Sequence, residues 1–357
     1  MLHSTAPKYV FAAKNYDRTD GIRMENVTAL LHQPITVSLA LQGGGAHGAF
    51  TWGVLDRLLQ EPLLSFDGIS ATSSGAMNPL ALAQGWLEAG RDGARAKLTA
   101  LWETVGNQSS VMRWASATPA GATASAMMLQ LTHYFTPKEI NPLGINPLRD
   151  MANSLFDFER LRLEAPQRLF IAATRVRDGK LTLFDNAQLT IDALLASTCL
   201  PQLFAPVIID DEMYWDGGYA GNPALEPLLY RCDASDILSV LVQPLQHAQP
   251  PKNVREISLR IVELGFSTTF LRELDTLLKA RESLAGDSVR SWIGDRLNSM
   301  RMHLIEPGES LDSYSPKTRI NTRLSFLRNL RDLGHAQTSA WLAQHAAALG
   351  KRATVAL

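Results

Sequence analysis

Short hydrophobic runs alternate with helical patterns along most of the chain. Residues 35–41 (ITVSLAL) form a compact apolar run, which is typical of a buried parallel strand. Apolar residues then recur at helical spacing: Phe50, Val54, Leu55, Leu58 and Leu59. Residues 68–72, with the small and apolar residues after them, repeat the succession of strand, turn and helix. This alternation predicts a mainly parallel sheet covered by helices.

Later segments extend the same pattern. Four more runs are predicted as strands: 168–176, 237–242 and the shorter 181–184 and 213–215. Between residues 254 and 297, and again between 320 and 349, apolar residues at three- and four-residue intervals predict long packing helices. We therefore expect an α/β fold with three layers, α/β/α, a mainly parallel central sheet and a helical cap.

Composition does not change sharply enough along the chain to separate globular units. Residues 1–33 are polar and aperiodic, and we expect them to form an N-terminal arm. Residues 34–307 are predicted to form the main domain, in which residues 106–155, rich in Ser, Ala, Met and Pro, are the expected cap insertion. Residues 308–357 are then a C-terminal helical extension packed on that domain.

Composition and charge narrow the function classes. The 357 residues are 46% hydrophobic and 19% charged, with a net charge of −1, so a nucleic-acid-binding surface is not expected. Cys199 and Cys232 lack the number and spacing of a disulfide framework or a metal site. A signal-peptide pattern and a run of membrane-spanning length are both missing from the sequence. We expect a cytoplasmic protein, or one peripheral to a membrane.

A serine lies where the second predicted strand turns into a helix. In ATSSGAMN, residues 71–78, Ser73 stands between Ala71 and Gly75, so small residues line the turn. A tight elbow of this kind exposes a nucleophile at a helix N-terminus. Ser73 is therefore the candidate nucleophile, and the backbone N–H of Ser74 is expected to face the same pocket.

A glycine-rich turn after the first strand supplies candidate hydrogen-bond donors. GGGAHG, from Gly43 to Gly48, would present successive backbone N–H groups at the start of the first helix, where the helix dipole favours negative charge. An attacked ester carbonyl becomes an oxyanion that needs such fixed donors. We expect Gly43, Gly44 and Gly45 to form the oxyanion hole.

A carboxylate in a third glycine-containing turn is the candidate base. In WDGGYAGNP, residues 215–223, Asp216 is followed by Gly217 and Gly218, which allow close approach of the backbone. A serine hydroxyl becomes an effective nucleophile when a neighbouring base takes its proton. We therefore predict that Asp216 acts as general base and acid for Ser73, in a dyad.

With these three motifs in the same order, the chain resembles the patatin-like phospholipase family. The similarity includes residues 193–207 (ALLASTCLPQLFAPV) and spans residue 35 to about residue 245. The resemblance implies hydrolysis of lipid acyl esters through an acyl-serine intermediate, without a metal or organic cofactor. The expected partners are a lipid or acyl-ester substrate and a peripherally contacted membrane. The motifs do not encode the head group, the chain length or the oligomeric state.

Three positions near these motifs are unusual. Ala71 stands where the family elbow usually begins with Gly, and it adds a methyl group at a crowded turn. His47 occupies a place where the family often has Arg or Lys. Pro79 falls early in the second predicted helix, where it removes a hydrogen bond and would kink the helix.

Gly43, Gly45 and Gly48 also satisfy the G-x-G-x-x-G pattern of a dinucleotide-binding turn. This rival interpretation would make the chain an NAD-dependent oxidoreductase. It requires an acidic residue at the end of the second strand, whereas Asp67 begins that strand, and it leaves the serine elbow unexplained.

Other interpretations apply to single residues. Ser73 alone could be a helix N-cap and Asp216 a turn residue, so that the fold would serve a noncatalytic lipid-binding or scaffold protein. A catalytic triad would require His247 or His303 beside the serine. An apolar stripe in the expected cap could line an acyl tunnel, contact a membrane or belong to the core: Met127, Met128, Leu129, Leu131, Tyr134 and Phe135.

Overall fold

A sheet between two layers of helices forms the centre of the protein. The computed structural model describes residues 31, 33–116, 146–201, 203–245, 250–284, 291–308 and 316–355. Nearly all of the predicted N-terminal arm, and residues 117–145 of the expected cap with its apolar stripe, lie outside the described residues. Within the described part, the sheet and its helices confirm the predicted three-layer α/β fold.

The sheet is mixed but mainly parallel. Its strands are β1 Ile35–Leu41, β2 Leu64–Thr72, β3 Arg168–Arg175, β4 Leu181–Asp185, β5 Val207–Ile209, β6 Glu212–Asp216, β7 Asp236–Val240 and β8 Arg301–Ile305. Hydrogen-bonded neighbours follow the path β5-β6-β3-β2-β1-β7-β8, and β4 also pairs with β3. All pairs from β3 to β8 along this order are parallel, whereas β4, β5 and β6 pair antiparallel. The six predicted strands are confirmed, and β5 and β8 are additional.

Helices cover both faces of the sheet. They are α1 Gly48–Leu58, α2 Ser74–Ser116, α3 Pro147–Leu155, α4 Phe158–Glu164, α5 Ile191–Ser197, α6 Glu226–Tyr230, α7 Val254–Leu284, α8 Trp292–Ser299 and α9 Leu324–His345. Short 3₁₀ helices lie at Gly45–His47, Asn186–Gln188, Gly217–Tyr219, Pro316–Ile320 and Ala346–Ala348. Helix α2 breaks at Ala89 and Gly90, not at Pro79, because Gly90 takes a φ of 59° that other residues resist.

Alternate residues of the central strands point into two separate cores. In β1, Val37, Leu39 and Leu41 pack in the core beneath α1, α2 and α9, whereas Ala40 faces the core beneath α6, α7 and α8. Each of these four residues is fully buried. A parallel strand that is covered on both faces has a nearly continuous apolar sequence, which is why β1 could be predicted from its sequence.

Helices α1 and α9 cross with their backbones in contact. A Cβ atom added at Gly53 would lie 1.8 Å from the carbonyl oxygen of Arg331, and one added at Gly334 would lie 2.1 Å from that of Phe50. Only glycine permits this separation, since any side chain would force the helices apart. The crossing fixes α1, and with it the glycine-rich turn that leads into α1.

Candidate active site

The nucleophile elbow and the glycine-rich turn lie at the same edge of the sheet. Strands β1 and β2 are parallel neighbours, so the turns that follow Leu41 and Thr72 leave the sheet side by side. Ser73 has a φ of 56°, a left-handed conformation that is rare for residues other than glycine, and α2 begins at the next residue. The chain therefore turns sharply at Ser73, as the sequence predicts.

Ala71 lies in the strand before the elbow and not in the turn itself. It pairs with Leu41 on one side and with Ile171 on the other, and its side chain is fully buried in the core. The methyl group of Ala71, which was expected to crowd the turn, therefore packs within the sheet, and the elbow does not have to change to accommodate it.

The register of β3 explains how Asp216 reaches Ser73. Strand β2 pairs with β3 as far as Thr72 and Ala172, and β6 pairs with β3 from the next residue, Ala173, which lies opposite Asp216. Strand β4 pairs with Ala173 as well, so β6 must occupy the same edge of β3 as β2. Strand β6 thus continues where β2 ends, and Asp216 lies next to the elbow.

The hydroxyl of Ser73 donates a hydrogen bond to Oδ2 of Asp216 at 2.7 Å. The other carboxylate oxygen, Oδ1, accepts the backbone N–H of Gly218 at 2.8 Å, and the Asp216 side chain is fully buried. The main chain of Asp216 is held as well, because its N–H donates to the carbonyl of Cys199 and its carbonyl accepts the Thr174 hydroxyl. The carboxylate is therefore fixed in one orientation toward the serine.

Burial sets the protonation behaviour of Asp216. Removal from water disfavours the charged carboxylate and raises the pKa of Asp216 to about 6, although the hydrogen bonds from Ser73 and Gly218 oppose this shift. A free aspartate has a pKa of about 3.9 and is a weak base. The buried carboxylate is thus a stronger proton acceptor that is still ionised at neutral pH.

Two glycines of the predicted motifs allow the site to assemble. A Cβ atom at Gly75 would lie 2.7 Å from the carbonyl oxygen of Gln42, and one at Gly217 would lie 2.2 Å from that of Ala172. Both glycines therefore bring one turn of the site against a neighbouring strand. The elbow is also fixed by Ser197, whose hydroxyl oxygen accepts the backbone N–H of Ser73 at 2.9 Å.

Side chains that the sequence analysis did not identify hold the glycine-rich turn. The N–H of Gly43 donates to Oδ1 of Asn222 at 2.7 Å, and the buried Asn222 returns a longer bond from Nδ2 to the Gly43 carbonyl. The N–H of Gly44 donates to the Ser74 hydroxyl oxygen at 3.1 Å. A Cβ atom at Gly48 would lie 2.9 Å from that same oxygen. Asn222 lies within the third glycine-containing motif, and this position in the sequence is the signal that could have identified it as a site residue.

A C-terminal segment forms one wall of the same turn. A Cβ atom at Gly45 would lie 2.4 Å from the carbonyl oxygen of Arg319, whose guanidinium binds Glu263 of α7 at 3.1 Å. His47 contacts the Thr318 hydroxyl at 2.8 Å through Nε2. Burial, assisted by the positive charge of Arg319, lowers the pKa of His47 to about 4. His47 is therefore neutral at pH 7 and does not replace the cationic residue expected there.

Two of the residues required by rival mechanisms, His303 and Asp67, are engaged elsewhere. The buried His303 pairs through Nε2 with Asp236 at 2.9 Å and through Nδ1 with Thr354, and His247 lies outside the described residues. Asp67 accepts the backbone N–H groups of residues 233 and 234, far along β2 from the glycine-rich turn.

Two further properties concern the whole of the described chain. No group of three or more His, Cys, Asp or Glu side chains among the described residues is arranged to hold a metal ion. Among the same residues, none of the helices combines the length and apolar character needed to cross a bilayer.

Comparison with known proteins gives a match over the part of the chain that holds this site. The family described as patatin-like phospholipase matches residues 39–229, more than half of the sequence. A similar solved structure is the crystal structure of VipD from Legionella pneumophila, with 16% sequence identity, a TM-score of 0.39, and coverage of 88% of this chain and 67% of that chain. Among curated proteins, none matches the sequence.

Proposed function

Because the chain belongs to the patatin-like phospholipase family, a family of lipid acyl hydrolases, we propose that it cleaves carboxylic esters of lipids through an acyl-serine intermediate. Ser73 is the nucleophile and Asp216 is the general base and acid. The observation that carries the proposal is the 2.7 Å hydrogen bond from the Ser73 hydroxyl to a fully buried carboxylate. This arrangement matches what nucleophilic catalysis by serine requires.

Acylation begins when the Ser73 oxygen attacks the ester carbonyl carbon. The hydroxyl proton passes to Oδ2 of Asp216, which already accepts it in a hydrogen bond. A carboxyl group with a pKa of about 6 accepts this proton more readily than an exposed aspartate would. The tetrahedral intermediate then collapses, its C–O bond breaks, and Asp216 returns the proton to the departing alcohol or lysolipid.

The glycine-rich turn stabilises the negative charge that develops on the carbonyl oxygen. Gly45 supplies an N–H at the start of a short 3₁₀ helix, and Gly44 supplies a second when its N–H exchanges the bond to the Ser74 hydroxyl for one to the oxyanion. Gly43 contributes mainly by its bond to Asn222, which fixes the turn. Loss of one oxyanion donor typically costs about 2.7–4 kcal/mol of transition-state stabilisation.

Deacylation repeats these roles with water as the nucleophile. Asp216 takes a proton from the water molecule, whose oxygen attacks the acyl carbon and forms a second oxyanion at the same turn. Collapse of this intermediate breaks the bond to Ser73, and the proton held by Asp216 returns to the serine oxygen. A fatty acid leaves, and every proton transfer uses groups of this chain.

A fluorophosphonate probe tests the proposal, since it reacts with serine nucleophiles. We expect the wild-type chain to be labelled and Ser73→Ala to remain unlabelled. Ser154→Ala is the matched control, and it should retain labelling because the hydroxyl of this exposed serine bonds the carbonyl of Met151 within its own helix α3. Failure of the folded wild-type chain to react would contradict the mechanism and favour a noncatalytic lipid-binding role. Mass spectrometry of products from a panel of acyl substrates would then define selectivity.

A further inference from the structure

An aromatic side chain from helix α7 lies over the turn that carries the candidate base. A Cβ atom added at Gly218 would lie 2.2 Å from two carbons of the Phe266 ring and 3.0 Å from Oδ1 of Asp216. The ring and the carboxylate oxygen are therefore close neighbours across Gly218, which has no side chain to separate them. Tyr219 extends this cover, because the centre of its ring lies 5.0 Å from that of the Phe266 ring.

Phe266 lies beside the carboxylate oxygen that does not face the nucleophile. Oδ2 of Asp216 accepts the Ser73 hydroxyl, whereas Oδ1 accepts the backbone N–H of Gly218. An ionised carboxylate oxygen can accept two hydrogen bonds, so Oδ1 could also bind a water molecule that reached it. The Phe266 ring fills space next to this oxygen, and Asp216 is fully buried.

Loss of water, and not a neighbouring charge, sets the protonation behaviour of Asp216. Burial raises the pKa of Asp216 to about 6, against the hydrogen bonds from Ser73 and Gly218. The titratable side chains on the adjoining segments are uncharged at this pH. Tyr219 carries a neutral phenol, and burial, together with the charge of Asp216, raises the pKa of the Cys199 thiol to about 11.

The charged side chains of α7 near this contact are engaged elsewhere. Glu263 forms ion pairs with Arg260 and with Arg319. Glu273, further along the helix, accepts the backbone N–H of Leu225 at 3.0 Å. What α7 presents to the buried carboxylate is therefore an apolar surface and not a charge.

We propose that Phe266 is a positioning residue of the catalytic base: its ring excludes water from Asp216 and so keeps the carboxylate a strong proton acceptor. A carboxylate without water is poorly solvated and binds a proton more readily. The inference rests on the proposed function, in which Asp216 takes the proton of Ser73. It extends the site beyond the region of family similarity, which ends at residue 229.

The pH dependence of ester hydrolysis tests this role. For each variant, kcat/KM for a water-soluble nitrophenyl ester would be measured at pH 5 and at pH 8, because the ratio of these values does not depend on how much of the protein is folded. We expect a ratio of about one tenth for the wild-type chain, whose base titrates near pH 6. Phe266→Ala admits water to Oδ1, so the ratio should rise above about one half. Phe266→Gln, which keeps more of the volume, should raise it in the same way.

The same substitution should also weaken the base. At pH 8 the kcat/KM of Phe266→Ala should be about threefold to tenfold below that of the wild-type chain, because a more acidic carboxyl group accepts the serine proton less readily. A purely structural role of Phe266 would lower kcat/KM equally at both pH values and leave their ratio unchanged.

Two control variants separate the exclusion of water from the loss of packing. Phe266→Leu keeps an apolar side chain at the same place and should leave the ratio near about one tenth. Phe158→Ala removes a comparable half-buried ring, which packs edge to face on Phe156 at the start of α4. This variant should also keep the wild-type ratio, because α4 leads into the beginning of β3, at the opposite end of the sheet from the site.

Urea unfolding provides a measurement that does not require catalysis. The difference in urea midpoint between the wild-type chain and Asp216→Asn isolates this carboxylate from other titrating groups, and it should grow from pH 4 to pH 7. With Phe266→Ala in both chains, this growth should shrink to less than about half. With Phe158→Ala in both chains, it should keep its full size.

The outcomes distinguish the role of Phe266 from the proposed function. If the wild-type chain hydrolyses the ester, a ratio or a urea difference that keeps its wild-type value in Phe266→Ala would overturn the inference and leave the proposed function intact. If the wild-type chain hydrolyses no ester but the urea difference shrinks in Phe266→Ala, the proposed function would be contradicted while the exclusion of water by Phe266 is supported.

Discussion

Replacing Asp216 by asparagine should abolish ester hydrolysis and also stabilise the folded protein at neutral pH. The reason is that the wild-type fold buries a carboxylate that forms no ion pair among the described residues and accepts hydrogen bonds from the Ser73 hydroxyl and the Gly218 amide. An asparagine of the same shape keeps an oxygen for Gly218 and presents an amide to the serine oxygen, without burying a charge.

The pKa of Asp216 gives the size of this effect. Folding raises the pKa of Asp216 from 3.8 to about 6, so the folded state holds a proton between these values that the unfolded state has lost. Stability therefore falls as the pH rises from about 4 to about 6, and the loss is complete above that range. The difference of about two pKa units corresponds to about 3 kcal/mol, because one unit is about 1.36 kcal/mol.

Urea unfolding of both proteins between pH 4 and pH 8 provides the assay. We expect their free energies of unfolding to be similar near pH 4, where the wild-type carboxyl group is protonated, and Asp216→Asn to be more stable by about 3 kcal/mol at pH 7. A gain of the same size at every pH would show that something other than charge burial is responsible. No gain at pH 7 would refute the reasoning altogether.

Three more predictions concern the site and its frame. As the pH drops below about 6, protonation of Asp216 should lower the wild-type kcat/KM for a soluble ester along a single titration curve. A pH–rate profile should show about one tenth of the plateau value at pH 5. Asn222→Ala should lower kcat by about tenfold to a hundredfold with little change in KM, because the Gly43 amide loses its partner; equal losses in both constants would contradict this. Gly53→Ala should destabilise the fold by about 3 kcal/mol in thermal unfolding, since its Cβ would lie 1.8 Å from the Arg331 carbonyl oxygen. Gly265→Ala is the control, because apart from the backbone of its own helix and its chain neighbours nothing lies within 4 Å of the new Cβ, and the expected gain is about 0.5–1 kcal/mol.

The sheet was predictable where its strands are buried on both faces. Strand β1 is a compact and mainly apolar run, and residues 68–72 of β2 are small or apolar and all buried, so the sequence indicated both strands and the turns after them. Strand β8 was not predicted because two of its five residues are Arg301 and His303. Both bind Asp236, which makes their position in a buried strand tolerable. Such a partner becomes evident only in the folded chain.

The sequence predicts which residues form the site, but it does not show that they lie close together in the folded chain. Ser73 and Asp216 are separated by 143 positions, and they meet because β6 takes up the edge of β3 where β2 stops. No local pattern encodes that continuation. Asn222 and Ser197 are small polar residues of a kind that is common in turns and caps. Only the tertiary arrangement determines which amide each one binds.

The wall that Arg319 and helix α9 build around the glycine-rich turn has a consequence for how this protein can be divided. The family similarity ends at residue 229, and both candidate catalytic residues lie before that point. Yet α1 is held by the backbone contact of Gly53 with Arg331, which lies more than a hundred residues beyond residue 229. A fragment trimmed to residues 39–229 would therefore keep Ser73 and Asp216 but lose the scaffold that aligns the N–H donors with them.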